Sequence, residues 1–179
     1  MVVVAISGLH GAGKSTAAKA LVKKFKQLRY VCAGEIFRQL IKEHGMTLSE
    51  GSRYAEFHPA IDRMIDRRIS DAARGGKVLI DARLAGWMAK KADIKIFLTA
   101  PTKVRVMRIA RREGRRYRDV YEETIRREKS EAKRFKKFYN IDINDYSVFD
   151  LILNTERLTI PEITKILTSV IGVVMKRRH

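Results

Sequence analysis

Short apolar runs recur along the chain, separated by longer stretches in which apolar residues return every three or four positions. The runs predict five strands: Val2–Ile6, Tyr30–Cys32, Val78–Asp81, Ile94–Leu98 and Phe149–Leu153. The stretches between them have the spacing of amphipathic helices. Strands that alternate with helices indicate a parallel sheet covered by helices on both faces. The sequence therefore predicts an α/β fold, and its 179 residues suit one domain, residues 1–179.

Two of the helical stretches have features that the structure can test. Residues 46–74 are predicted to be helical, with breaks at Gly51 and Pro59. Residues 119–139 are predicted to form a long helix with one apolar stripe. That stripe consists of Tyr121, Ile125, Ala132, Phe135 and Tyr139.

The segment between the first strand and the first helix is rich in glycine. It reads Gly8-Leu9-His10-Gly11-Ala12-Gly13-Lys14-Ser15, which matches the G-x-x-x-x-G-K-S phosphate loop in its required strand–loop–helix setting. Glycines let backbone N–H groups approach phosphate oxygens, and the helix that begins near Lys14 adds its positive end. Lys14 supplies charge for the outer phosphates, and Ser15 offers a hydroxyl to Mg²⁺. We predict a nucleoside triphosphate site in which His10 offers its backbone rather than its ring.

The chain is strongly basic, with 38 Lys and Arg against 20 Asp and Glu and a formal net charge of +18. Such an excess suits nucleic acid, and it also suits a site that holds several phosphates. Half of the excess lies between Lys103 and Lys137, which indicates a localised anion site. Cys32 is the only cysteine, and no Cys/His cluster suggests zinc. No apolar run could span a membrane and no basic leader precedes the first strand, so a cytoplasmic protein is expected.

Classes of protein that share the phosphate loop differ in what faces the γ-phosphate. GTPases carry an Asn-Lys-x-Asp motif for guanine, which this sequence lacks, and the chain is too short for a larger ATPase core. Arginines instead follow several strands and occupy two helices, which suits a kinase with two anionic substrates. Arg127, Glu131 and Arg134 have the i, i+4, i+7 spacing that places them on one helix face.

Three further segments resemble known nucleotide kinases. Gly34-Glu35-Ile36-Phe37-Arg38 is similar to the Gly-Asp-x-x-Arg segment of nucleoside monophosphate kinases. Arg83–Trp87 and Tyr139–Asp145 resemble segments of the archaeal type of cytidylate kinase. The resemblance implies a three-layer P-loop kinase with a five-stranded parallel sheet, a helical monophosphate-binding region at about 38–74 and a short lid at about 108–134. It also implies Mg²⁺-dependent transfer of phosphate from ATP to CMP, with dCMP as a further substrate.

The same resemblance implies roles for individual residues. Gly8 to Thr16 form the ATP phosphate loop, while Arg105 and Arg108 lie near the donor nucleotide. The implied monophosphate-binding residues are Arg38, Asp62, Arg83, Arg127, Glu131 and Arg134. Among these, the arginines hold phosphate, Glu131 takes a ribose hydroxyl and Asp62 accepts from the exocyclic amine of cytosine. Lys14, Arg83, Arg127 and Arg134 are the expected catalytic residues, and Ser15 and Asp81 are the expected magnesium ligands.

Several alternatives stay open. Bacterial cytidylate kinases carry an acid after the equivalent of Arg83, whereas this chain has Leu84, so Asp66 or backbone groups could replace Asp62 in base recognition. Asp81 could bind Mg²⁺ through water or form an ion pair with Arg83. The rival functions are an AMP- or UMP-preferring kinase and a basic P-loop ATP switch that binds RNA or ribosomes. A kinase gathers its arginines in one cleft, whereas an RNA binder spreads them over an exposed face. The protein is expected to be a monomer.

Overall fold

A computed structural model describes residues 2–177, excepting the side chain of Ser49. Within them, the strands are β1 (Val3–Gly8), β2 (Arg29–Cys32), β3 (Val78–Asp81), β4 (Ile94–Thr99) and β5 (Leu151–Asn154). They form one sheet in the order β2-β3-β1-β4-β5, and every neighbouring pair is parallel. The predicted fold class is therefore confirmed. Met1, Arg178 and His179 of the predicted domain lie outside the described residues.

Helices connect the strands and cover both faces of the sheet. They are α1 (Lys14–Lys24), α2 (Ala33–Glu43), α3 (Leu48–Phe57), α4 (Pro59–Gly75), α5 (Ala85–Met88), α6 (Thr102–Glu113), α7 (Tyr117–Tyr139) and α8 (Ile160–Lys176). None of the helices in residues 2–177 combines the length and the apolar character needed to cross a membrane.

The core lies in two layers, one on each face of the sheet. Successive side chains of a strand point to opposite faces, so Val4 and Ile6 pack against α1 and α8, while Val3 and Ala5 pack against α4 and α5. Burial on both faces explains why the β1 sequence is a continuous apolar run rather than an alternating pattern.

Two predictions about the helices were wrong. Gly51 does not break the chain, because it lies within α3, and the break comes at Pro59 alone. A Cβ at Gly51 would lie 2.4 Å from Cγ2 of Ile41, so the glycine allows α3 to pack closely against α2. The apolar stripe of α7 was wrong at Tyr121, which is 42% exposed, whereas Phe135 is buried and the other three members are half-buried. The buried face of α7 is largely polar, because most of it lines a cleft. The buried residues of α7 are Val120, Thr124, Ser130, Glu131, Arg134 and Phe135, and all but Ser130 line that cleft.

The fifth strand begins two residues later than predicted. Phe149 precedes β5, and its ring packs against Trp87 and Phe97. The connections that leave β1, β2 and β3 all start from the carboxyl edge of the sheet, where parallel α/β folds bind their ligands. The phosphate loop, the start of α2 and Asp81 therefore lie together.

Candidate active site

Glycines give the phosphate loop a backbone that other residues would not adopt. Gly11 has a φ of 77°, and a Cβ there would lie 2.5 Å from the carbonyl oxygen of Arg105. Gly13 has a φ of 92° and precedes α1 with no side-chain capping bond. The first N–H groups of α1 are therefore open to an anion, as expected of a phosphate site.

Three residues at the start of α1 line the adjoining cleft: Lys14, Ser15 and Thr16. The ammonium of Lys14 donates to the carbonyl oxygen of Leu9 at 3.0 Å, so the lysine lies folded back over its own loop. Burial lowers the pKa of Lys14, although the charge of Asp81 opposes this effect. A bound phosphate would supply the counter-charge that the buried ammonium needs.

Arg105 contacts the backbone of the phosphate loop and does not line the cleft. Its guanidinium is almost fully buried and donates to the carbonyl oxygens of Ala100 and His10, each at 2.9 Å. It also forms an ion pair with Glu128 of α7 at 2.6 Å. Arg105 of α6 thus connects the phosphate loop to α7, and its expected place near the donor nucleotide stays a prediction.

Arg108 likewise does not line the cleft. Its guanidinium donates to the hydroxyl of Thr155 at 2.9 Å and to the carbonyl oxygen of the same residue at 2.6 Å. The Thr155 hydroxyl donates in turn to the carbonyl oxygen of Ala12 at 3.0 Å. Arg108 therefore connects the segment after β5 to the back of the phosphate loop.

The cleft has a volume of about 880 Å³ and is lined by the arginines that were expected to bind the monophosphate. Its walls come from the phosphate loop, α2, α4, the end of β3 and α7. The charged residues on these walls that were expected from the sequence are Lys14, Arg38, Asp62, Asp81, Arg83, Arg127, Glu131 and Arg134. Residues from distant parts of the chain thus converge, as the kinase interpretation requires.

Glu131 contacts both the phosphate loop and the end of β3. Its Oε1 lies 2.8 Å from Nε2 of His10, and its Oε2 lies 3.4 Å from Nε of Arg83. Burial alone would raise the pKa of Glu131, but His10, Arg83 and Arg127 outweigh it and hold that pKa well below the usual range. The sequence did not predict this contact between the His10 ring and α7, and the expectation that His10 offers its backbone to the phosphates stays a prediction.

Asp62 contacts the guanidinium of Arg134. Its Oδ2 lies 3.3 Å from Nε of that arginine, and Nη1 of Arg134 donates to the carbonyl oxygen of Ser52 at 3.0 Å. Burial raises the pKa of Asp62, with the charge of Arg134 opposing it. One turn along α4, Asp66 accepts a hydrogen bond from the Tyr139 hydroxyl, and burial raises its pKa to about 6.

Several buried polar atoms in the cleft have no hydrogen-bond partner among the described residues. They are Nε of Arg127, Nε of Arg134, Nε and Nη1 of Arg83, Oδ2 of Asp62 and Oε2 of Glu131. Buried polar groups are usually satisfied, and unpaired arginine donors are costly in a protein interior. Three arginines with spare donors line one cleft together with the phosphate loop, an arrangement that can bind a second anion.

Comparison with known proteins agrees with this geometry. Residues 3–157 match the model of the cytidylate kinase-like family. The chain belongs to this family. It is 48% identical over 155 residues to a protein named cytidylate kinase from Pyrococcus horikoshii, covering 87% of this chain and 80% of that one. It is 43% identical over 178 residues to a cytidylate kinase from Methanocaldococcus jannaschii, covering 97% and 99% of the two chains.

A solved structure supports the fold alone. Shikimate kinase from Bacteroides thetaiotaomicron superposes with a TM-score of 0.62 at 14% identity, over 96% of this chain and 98% of that one. At such low identity the likeness concerns the α/β architecture and carries no information on the substrate.

Asp81 has neighbours that the sequence did not predict. Its Oδ2 accepts from the Tyr30 hydroxyl at 3.0 Å and lies 3.5 Å from Sγ of Cys32. Cys32 and Asp81 are register partners on β2 and β3, so the contact follows from strand pairing that a single sequence does not reveal. Within the described residues, the ion-pair partner of Arg83 is Glu131. The proposed Asp81–Arg83 ion pair is therefore not formed.

Proposed function

We propose that this protein transfers the γ-phosphoryl group of ATP to CMP, giving ADP and CDP. The observation that carries this proposal is the set of three arginines with spare donors that faces the phosphate loop across one cleft. Membership of the cytidylate kinase-like family supports CMP as the acceptor. We extend the proposal to dCMP as a second acceptor.

The donor side of the cleft would hold ATP. Backbone N–H groups of residues 8–16 and the start of α1 bind its phosphates, and Lys14 leaves the carbonyl oxygen of Leu9 to contact the outer ones. The Ser15 hydroxyl and the Asp81 carboxylate are hard oxygen donors on neighbouring walls of the cleft, as Mg²⁺ prefers. When bound there, Mg²⁺ would neutralise charge on the phosphates. Asp81 fits this role because Tyr30 and Cys32 contact only its Oδ2.

The acceptor side would hold the monophosphate. Arg38, Arg83, Arg127 and Arg134 bind its phosphate, and Glu131 accepts from a ribose hydroxyl. Asp62 and Asp66 lie one turn apart on α4, where a carboxylate oxygen can accept from the exocyclic amine of cytosine. Uracil presents a carbonyl oxygen at the same position and would be repelled by a carboxylate.

Positioning and charge stabilisation account for the chemistry. The attacking phosphate oxygen is already ionised at neutral pH, so no general base is required. The arginines and Lys14 neutralise the charge that the two substrates bring together, and they hold the reacting groups in line.

The test is a steady-state assay of ADP formation with ATP and Mg²⁺ against CMP, dCMP, UMP and AMP. The proposal expects the highest kcat/KM with CMP or dCMP. The variants Asp62→Asn and Asp66→Asn, each assayed with CMP and UMP, identify the residue that recognises the base. Replacing that residue should lower the ratio of kcat/KM for CMP to kcat/KM for UMP. If the unmutated protein has a higher kcat/KM with AMP or UMP than with CMP or dCMP, the assignment to CMP is refuted, whereas the assignment as a nucleotide kinase stands.

A second candidate function, nucleic-acid binding, is favoured by the outer face of α7. Arg126, Lys129, Lys133 and Lys136 are exposed at spacings of three and four residues, and none forms an ion pair with a described residue. Binding of single-stranded RNA, followed by fluorescence anisotropy at several salt concentrations, tests it. A variant with all four changed to Gln should lose that binding and keep its kinase activity.

A further inference from the structure

The imidazole of His10 belongs to the phosphate loop, yet it contacts the acceptor side of the cleft. Its Nε2 lies 2.8 Å from Oε1 of Glu131, a residue 121 positions later in the chain. The two side chains are only 20% and 12% exposed. The carbonyl oxygen of His10 accepts from Arg105, so the residue is held at its backbone as well as at its ring. Because both its backbone and its ring are held, His10 restrains the side chain of Glu131.

The two oxygens of Glu131 therefore differ in their surroundings. Oε1 contacts His10, whereas Oε2 is buried with no hydrogen bond and has Nε of Arg83 at 3.4 Å. A buried carboxylate oxygen without a hydrogen bond is an acceptor that lacks its donor. The contact of Oε1 with His10 restricts the direction of Oε2, because the two oxygens belong to one rigid planar group.

We propose that His10 is a positioning residue that orients Glu131 toward a ribose hydroxyl of the bound monophosphate. The inference rests on the proposed function and adds that a side chain of the ATP loop determines sugar recognition at the other substrate site. A carboxylate only accepts, so Nε2 of His10 carries the proton in this contact. Burial lowers the pKa of His10, and the charge of Glu131 opposes this effect.

The experiment compares His10→Ala with the unmutated protein on CMP, dCMP and 2′,3′-dideoxy-CMP. A hydrogen bond to a charged group contributes about 1.5–3 kcal/mol, so kcat/KM for CMP should fall about tenfold or more, chiefly through KM for CMP. With 2′,3′-dideoxy-CMP the loss should be below about twofold, since no ribose hydroxyl remains for Glu131 to bind. KM for ATP should stay nearly constant.

Three further variants make the result specific. His10→Gln keeps an amide N–H that can reach Glu131 and should recover most of the CMP activity. His10→Asn has a shorter side chain that cannot reach Glu131, so it replaces His10→Ala if the latter does not fold. His44→Ala, at the exposed end of α2, is the matched histidine control and should behave as the unmutated protein.

Equal losses on CMP and 2′,3′-dideoxy-CMP would overturn the role of His10, and so would a change confined to KM for ATP. A His10→Gln variant as impaired as His10→Ala would also overturn it. In each of these cases the unmutated protein still phosphorylates CMP, so the proposed function stands. Absence of CMP phosphorylation by the unmutated protein would instead remove the proposed function and this inference together.

Discussion

Replacing Asp66 with Asn should stabilise the protein at neutral pH. Burial raises the pKa of Asp66 from 3.8 to about 6, and the charge of Asp62 adds to this effect. The Tyr139 hydroxyl and Arg134 act in the opposite direction without cancelling it. At neutral pH the folded protein thus holds the Asp66 carboxylate ionised in surroundings that disfavour its charge. Such unfavourable ionisation is common for acidic residues at ligand-binding sites.

The size and sign of the effect follow from this shift. A difference of one pKa unit corresponds to about 1.36 kcal/mol, so the shift corresponds to about 3 kcal/mol at most. Because Asp66 is partly exposed, solvent screening reduces the expected gain to about 1–2 kcal/mol. A raised folded pKa favours folding below pH 3.8, and this contribution is lost as the pH rises through about 6. Asn does not ionise, so the stability advantage of the variant grows as the pH rises from 3.8 to about 6.

Urea denaturation at pH 4.5, 6.0 and 7.5 measures the effect. The free energy of unfolding of Asp66→Asn should exceed that of the unmutated protein at pH 7.5, and the difference should shrink at pH 4.5. Asp71→Asn, an exposed acid on the same helix, is the matched control and should change stability by less than about 0.5 kcal/mol. The reasoning fails if Asp66→Asn gives no gain at pH 7.5, or if the gain is independent of pH.

Three further outcomes are expected. Lys14→Ala should leave a folded protein, judged by circular dichroism, with kcat reduced by about 10² or more; near-normal kcat would exclude its role at the phosphates. Hydrogen exchange in residues 108–134 should slow when ATP and CMP analogues are bound together, and equal exchange in the free and doubly bound protein would contradict a lid there. Gly51→Ala should lower the free energy of unfolding by about 1–3 kcal/mol through overpacking against Ile41, and an unchanged thermal midpoint would contradict this packing argument.

The features that could be predicted from the sequence are those set by local spacing. The phosphate loop is continuous in the chain, and its neighbouring strand and helix follow from the apolar pattern. The shared face of Arg127, Glu131 and Arg134 follows from helical geometry alone. The place of Arg83 beside the phosphate loop also follows, because it comes after β3 and the carboxyl ends of parallel strands meet at one edge of the sheet.

The features that could not be predicted depend on contacts between distant segments. Nothing near His10 in the sequence indicates that its ring reaches Glu131, and the Tyr30–Asp81 hydrogen bond depends on strand order. Gly51 was expected to break a helix because its local propensity is poor, but the close approach of Ile41 leaves space only for glycine. Tyr121 was assigned to an apolar stripe because periodicity does not show that the inward face of α7 meets a polar cleft.

The contacts of the arginines explain why so much positive charge is tolerated in one region. Arg105 is neutralised by Glu128 and supports the loop, so its charge is not available to a substrate. Arg83 and Arg134 contact Glu131 and Asp62 at 3.4 and 3.3 Å, distances at which a phosphate oxygen can compete for their donors. Arg127 forms no ion pair with any described residue, although its Nε is buried. A monophosphate should therefore gain most from Arg127, which has no direct ion pair to give up among the described residues, and its binding relieves the repulsion among the remaining cations.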